Sequence, residues 1–224
     1  MTGGIAFFLS AGMEDRHPNA EFFFKAGGGP LLDVAPYYLT VLLELLGPVK
    51  RVAAMSSLPR ATRIMKAGPK AGAQIDVEVP TTFWCLLSFA SGTQISLGTS
   101  WDVQAHSLPH IELYGSEGTI RLPDPDQFGG DVHVGRKTGW QTFTSAERRF
   151  GGPDGHFNNY RGLGLAEMSV SIRTRREPRA SIRRALHILE IGEALSISAQ
   201  TCKFVELASV YERSAPFSSD EDVS

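Results

Sequence analysis

Asp33 and Tyr37 are the pair in this chain whose types and spacing best suit moving a proton. Four residues apart on a helix, a carboxylate and a phenol share one face, with about 5–6 Å between their Cβ atoms. The carboxylate can orient the phenol and influence its proton, which acid–base chemistry at a carbinol requires. A plainer reading stands beside this one: an Asp near a helix start favours the helix dipole, and a Tyr on an apolar face is usually core. Immediately upstream runs Gly27-Gly28-Gly29-Pro30, where absent side chains would let backbone approach a flat ligand.

Other chemistries find little support. His110, His133, His156 and His187 share no metal-ligand spacing with one another or with the two cysteines, so no metal site is expected. A Gly-x-Ser-x-Gly elbow is missing, and no Ser/His/Asp set stands out. Gly162-Leu163-Gly164 opens a helix rather than closing a strand–turn–helix unit, and reads as close packing at a helix start. Arg173, Arg175, Arg176, Arg179, Arg183 and Arg184 read as a solvated surface, because a net charge of −2 gives no electrostatic case for nucleic acid or an anionic membrane. Cys85 and Cys202 sit in apolar, strand-like surroundings and read as reduced core thiols, which fits the cytoplasm. The apolar run 37–46 is too short to span a bilayer, and the first residues lack the pattern of a signal peptide.

The elements that must position these residues begin with a strand over 4–11 and a polar loop over 12–21. A helix over 31–46 follows, with Val34, Tyr37, Tyr38, Val41, Leu42 and Leu45 at three- and four-residue spacing. Pro36 costs this helix little if it falls among the first positions, whose N–H groups have no partner, and Gly47-Pro48 stops it. Strands are expected over 49–58, 73–79, 81–90, 93–103, 111–114, 119–122, 132–135 and 140–144, with hairpin turns at Ser91-Gly92 and over 115–118. Two helices, 161–175 and 181–200, precede a short strand over 203–207. Residues 1–210 thus form one α+β domain, a large, mostly antiparallel sheet with helices on a single face. Residues 211–224 are expected to be a disordered tail. The open face, with Phe83, Cys85, Leu87 and Phe89 as its expected apolar residues, would be covered by a second copy in a homodimer.

The segment His17-Pro18-Asn19-Ala20-Glu21-Phe22-Phe23, followed by Gly-Gly-Gly-Pro-Leu-Leu-Asp-Val-Ala-Pro-Tyr-Tyr-Leu-Thr, closely resembles the Gfo/Idh/MocA oxidoreductases. These are the glucose–fructose oxidoreductase and inositol dehydrogenase family. The similarity continues in order through Leu45-Leu46-Gly47-Pro48-Val49-Lys50-Arg51-Val52 and Ile111-Glu112-Leu113-Tyr114-Gly115-Ser116-Glu117-Gly118-Thr119-Ile120. It then takes in Pro123-Asp124-Pro125, Phe128-Gly129-Gly130 and Arg161-Gly162-Leu163-Gly164, and covers most of residues 4–207.

The resemblance implies a Rossmann domain that binds NAD or NADP and a sheet domain that contacts substrate and dimerises. In the family's sheet domain an Asp is followed four residues later by a proton-transferring His. Asp33 matches the Asp, and Tyr37 stands in the position of the His. Asp33 and Tyr37 are therefore the expected catalytic residues, with His17, Gly28, Gly29, Tyr38 and His106 as expected substrate contacts. An unperturbed phenol has a pKa of about 10 and is a poor base near neutrality. Neither the dinucleotide fingerprint nor the family's Glu-Lys-Pro motif has a counterpart here, so the chain reads as the substrate half of a sugar or polyol oxidoreductase. It should bind no cofactor alone, and a separate nucleotide-binding chain is an expected partner. The alternatives are a non-catalytic sugar-sensing or dimerisation module, or a truncated gene product.

Overall fold

The computed structural model describes residues 1–144, 153–154, 157–158 and 161–216, which leaves His156 outside the described residues. In chain order the strands are β1 (Gly3–Leu9), β2 (Val49–Ser57), β3 (Thr62–Ile64), β4 (Gln74–Asp76), β5 (Thr82–Phe89), β6 (Gln94–Ser100), β7 (Ile111–Tyr114), β8 (Thr119–Leu122), β9 (Val132–Arg136), β10 (Gly139–Phe143), β11 (Pro153–Asp154), β12 (Phe157–Asn158) and β13 (Val205–Glu206). The helices are α1 (Pro30–Asp33), α2 (Ala35–Leu46), α3 (Arg161–Thr174) and α4 (Ile182–Thr201). Nine strands form one sheet in the order β10-β9-β8-β7-β1-β6-β5-β2-β13. Its pairings are antiparallel except that of β1 with β6. The α+β slab expected from the alternation of apolar residues is what the chain forms. The small β3–β4 hairpin, of which only the second strand is expected from the sequence, lies apart from the slab.

Alternation along β5 sorts its side chains between two environments. Phe83, Cys85, Leu87 and Phe89 are 1–5% exposed and share the main core with Leu39, Leu42 and Leu43 of α2 and Ile191 and Leu195 of α4. Trp84 and Leu86, on the other face, are 49% and 53% exposed. The sheet is open on one side, but the residues expected there are the covered ones. With a side-chain period of two, a shift of one residue exchanges the faces, and composition alone does not choose between two apolar sets.

The expected first helix is broken at Val34. Tyr37 N–H donates to Val34 O at 3.1 Å rather than one residue further back, because Pro36 supplies no N–H and its ring obstructs a continuous ladder. Gly47 caps α2, donating to Leu43 O at 2.9 Å. Cys85 is buried, and burial pushes its thiol up to about 12. Cys202 departs from the expected core position: α4 runs one residue further than the pattern suggests and leaves Cys202 exposed, as its left-handed cap. Gly162 and Gly164 also depart from expectation, since the space a Cβ would take is open at both. The packed chain continues past 210: Tyr211 is 6% exposed against His187, and Arg179 binds the carbonyls of Ala215 and Pro216. The rest of the expected tail, 217–224, lies outside the described residues.

Two buried polar clusters pin the loops to this slab. Arg63 of β3 is fully buried and donates to Glu14 at 2.8 Å, Asp102 at 2.7 Å and the carbonyls of Ala11 and Trp101. Burial raises the Asp102 carboxyl, but hydrogen bonds from Thr81, Thr82 and Arg60 and the charge of Arg63 outweigh it and hold the group low. At the other end of the slab, Val49 N–H donates to His187 Nε2 at 3.1 Å, which fixes Nδ1 as the protonated nitrogen facing Ser209 Oγ at 2.7 Å. Ser209 in turn donates to Glu190, tying the segment after β13 to α4. The basic run is not merely solvated: Arg176 and Arg179 surround the buried Glu167, and Arg184 pairs with Glu44.

Two outcomes follow for stability. Arg63→Ala leaves Glu14 and Asp102 without their buried cation and should cost about 3–5 kcal/mol, read from the urea midpoint at neutral pH. Burial lowers the pKa of His187, despite the opposing charge of Glu190. The unfolded state then takes up the proton first, so stability is full above about pH 6.5 and is lost as pH falls from there through the folded pKa. His187→Gln keeps an acceptor for Val49 without titrating. It should abolish the loss in that window while sparing the acid loss set by the lowered Asp102, Glu167 and Glu190, which begins nearer pH 4.

Candidate functional site

The helix break governs the site. α1 ends at Asp33 and α2 begins at Ala35, with Pro36 as its second residue, where a missing N–H costs nothing. Both segments front one turn, a short 3-10 stretch at Pro125–Gln127 that follows β8. Asp33 feels the charge of Asp126 across this gap, and the Tyr37 ring stands edge-on to Phe128 with centroids 6.3 Å apart. The continuous helical face expected to join Asp33 and Tyr37 is interrupted. What the two residues share is the turn in front of them.

Asp33 is half-buried, and its carboxylate accepts no hydrogen bond among the described residues. Burial, and then the like charge of Asp126, raises its pKa. A carboxylate in that position lacks donors, and hydroxyl groups of a ligand would supply them. The Tyr37 hydroxyl makes no hydrogen bond within the described residues either. Tyr38 is different. It is fully buried, with Phe8 edge-on to its ring, and its hydroxyl lies 2.8 Å from His110 Nδ1 and 2.9 Å from Asp124 Oδ1. Burial first, then the charge and hydrogen bond of Asp124, drives the Tyr38 phenol far above its ordinary pKa, so it stays protonated.

Asp124 also caps the turn by accepting from Asp126 N–H at 3.1 Å, which fixes the carboxylate that Tyr38 meets. His110 is anchored through its carbonyl, which accepts from Phe7 N–H at 2.7 Å, and its side chain is 42% exposed. Phe128 forms one wall of a larger cleft of about 790 Å³ with Leu45, Leu163, Arg179 and Pro216, but Asp33, Tyr38 and His110 do not line it.

The remaining expected contacts fall elsewhere. Gly28 and Gly29 are explained by the chain's own packing. A Cβ at Gly28 would lie 2.4 Å from the Phe23 carbonyl oxygen, and Gly29, at φ +90°, would meet Pro80 O at 3.2 Å. His17 accepts from Asn19 N–H at Nδ1 and packs edge-on against Phe22 and Phe23. His106 is exposed in the segment before β7. Neither histidine makes a hydrogen bond or ring contact with the Asp33–Tyr38 group among the described residues. His110, Asp124, Asp126 and Phe128 were not singled out from the sequence as site residues. The available signal was Pro123-Asp124-Pro125, a capped turn flanked by prolines.

The fold is shared with solved oxidoreductases. Levoglucosan dehydrogenase in complex with NADH and L-sorbose superposes with a TM-score of 0.74 at 18% identity, over 93% of this chain and 59% of its own. An NAD-binding oxidoreductase from Klebsiella pneumoniae gives 0.74 at 19% identity, over 93% of this chain and 59% of its own. Aldose–aldose oxidoreductase from Caulobacter crescentus, complexed with glycerol, gives 0.64 at 21% identity over 92% and 55%. The chain therefore spans a little over half the length of these proteins. A search of curated protein sequences finds no match. The model of the GFO/IDH/MocA C-terminal domain matches residues 3–121, more than half of the chain, and the protein belongs to the GFO/IDH/MocA family through that domain.

Proposed function

We propose that this chain is the substrate-binding half of an NAD(P)-dependent sugar or polyol oxidoreductase. The observation that carries the reading is the Asp33 carboxylate, half-buried, without hydrogen-bond donors among the described residues, and facing the charge of Asp126. Such a group is stabilised by ligand hydroxyls, and solved proteins of this fold hold L-sorbose or glycerol. In this reading Tyr37 handles the carbinol proton with Asp33 orienting it, and His17 and His106 reach further hydroxyls. The dinucleotide would supply the hydride acceptor. This reading assigns the dinucleotide to a further domain or a separate chain, in keeping with a described sheet whose pairings are antiparallel apart from that of β1 with β6. α3 and α4 offer that domain a docking surface: Leu165 and Ile172 are 72% and 71% exposed, and Ile182, Leu186 and Leu189 make a stripe 57–80% exposed.

The open sheet face fits a second copy of the chain. Met55, Trp84 and Phe7 stand in one row across β2, β5, β6 and β1, over Gly98, where a Cβ would lie 2.6 Å from the Trp84 ring. Leu86 and Ala53 flank them around a hollow of about 410 Å³. Further along the same face Glu112 and Arg121 neutralise each other at 2.7 Å, so burying them adds no unpaired charge. One feature favours a second reading, a sugar-sensing module without catalysis: Tyr37 stands where the family carries a His.

The two readings part experimentally. The chain alone should show no micromolar binding of NAD or NADP by isothermal titration; micromolar binding would end the domain reading. Supplied with a nucleotide-binding partner, Tyr37→Phe should lower kcat about 10²-fold or more, whereas sugar binding that is unaltered in a protein that never turns over supports the sensor. Light scattering should give a dimer that Leu86→Glu converts to a folded monomer. A wild-type monomer at about 100 μM, far above the Kd of stable dimers, would remove the sheet-face interface.

A further inference from the structure

We infer that His110 is a proton acceptor for a substrate hydroxyl at this site, held in the required tautomer by Tyr38 and Asp124. The inference rests on the substrate-domain reading above and adds a group to it. Its argument is a count of protons. The Asp124 carboxylate can only accept, so the single proton of the Tyr38 hydroxyl points to Asp124 Oδ1 at 2.9 Å. The phenol oxygen then has only lone pairs to offer His110 Nδ1 at 2.8 Å, and Nδ1 must carry the imidazole proton. In the neutral ring that leaves Nε2 as a bare acceptor, and Nε2 makes no hydrogen bond among the described residues although the side chain is 42% exposed. The carboxylate is fixed by Asp126 N–H, the phenol is buried and the histidine backbone is tied to β1.

A partner with hydroxyl donors fits that lone pair, and such donors are also what the neighbouring Asp33 lacks. In the oxidation proposed above, His110 would take the place of Tyr37 as the group receiving the carbinol proton. The O–H bond would break with its proton passing to Nε2, the O–H electron pair would become the second C–O bond, and the C–H bond would leave as hydride to the dinucleotide. The imidazolium so produced has Asp124 Oδ2 at 4.0 Å from its Nδ1, a counter-charge already in place. Tyr38 and Asp124 are positioning residues, since both act on a ligand through the ring. The site in this inference therefore has an imidazole acceptor from the residue just before β7, although Tyr37 occupies the helix position.

The test is imidazole ¹⁵N NMR on the full chain, with D-glucose and D-glucitol as probes. His110 should show the Nδ1–H tautomer, and its Nε2 signal should move on addition of either probe together with the amides of Asp33 and Tyr37. Tyr38→Phe, which keeps the ring and removes the relay hydroxyl, should return His110 to the mixed tautomers of a solvated imidazole and reduce or abolish the Nε2 response. A purely structural Tyr38 would leave the tautomer unmoved. An Nε2–H tautomer in the wild type, a tautomer unaltered by Tyr38→Phe, or a silent His110 beside responding Asp33 and Tyr37 amides overturns this inference and leaves the substrate-domain reading standing. Silence at all three residues overturns that reading, and this inference with it.

Discussion

A nine-stranded sheet has two faces, and α2 and α4 can bury only one of them. That constraint sets the terms for the rest of the molecule. Leu39, Leu42, Leu43 and Leu46 of α2 are each worth about 2 kcal/mol on the covered face, enough to fix the helix against the sheet. Its N-terminal end is thereby carried out to the rim, over the turn that follows β8. Asp33 and Tyr37, the proposed site residues, stand at that rim because the core holds the rest of the helix down. The uncovered face keeps Met55, Trp84 and Leu86 in solvent, an apolar patch that a free monomer would rarely retain without a partner.

Buried charge is treated in two opposite ways. Asp102 receives hydrogen bonds from Arg60, Arg63, Thr81 and Thr82, and its carboxyl is held low. Asp33 receives none among the described residues, has another carboxylate opposite, and its carboxyl is raised. The first arrangement supports stability, because breaking it would strand ions in the interior. The second works against stability in the free chain and is understandable where a ligand completes it. The contrast between the two aspartates suggests more about the proposed site than cavity volume does, since the cleft of about 790 Å³ beside Phe128 is lined by paired arginines and apolar side chains and not by Asp33.

The sheet and the long helices were legible because their signals are local: alternation along β5 and β6, three- and four-residue spacing along α2 and α4, Gly47 as a stop. What stayed hidden depends on contacts far apart in sequence. Phe83 and Trp84 are both apolar, and only packing against α2 and α4 decides which one faces inward. Tyr38 reads as a possible ligand contact until His110 and Asp124, separated from it by 72 and 86 residues, are seen to occupy its hydroxyl. The glycines before α1 suggest ligand access, but the backbone they admit is that of Phe23 and Pro80. Asp33 and Tyr37 were paired by helical spacing, but the helix that motivated the pairing is broken between them.

Tyr37 and Tyr38 are adjacent in the chain and therefore about 100° apart around the helix, so one helical turn can give them opposite tasks. The Tyr38 phenol is buried, donates to a carboxylate and is pushed away from ionisation, which makes it a fixed link between Asp124 and His110. The Tyr37 hydroxyl makes no hydrogen bond among the described residues. A lone phenol is a weak base near neutrality, but acid–base chemistry here need not depend on the phenol alone. The adjacent residue, Tyr38, holds the Nδ1 edge of an imidazole against the carboxylate that caps the same turn. In the proposed site, a tyrosine at the helix position would therefore still leave an imidazole at hand, provided the link through Tyr38 stays intact.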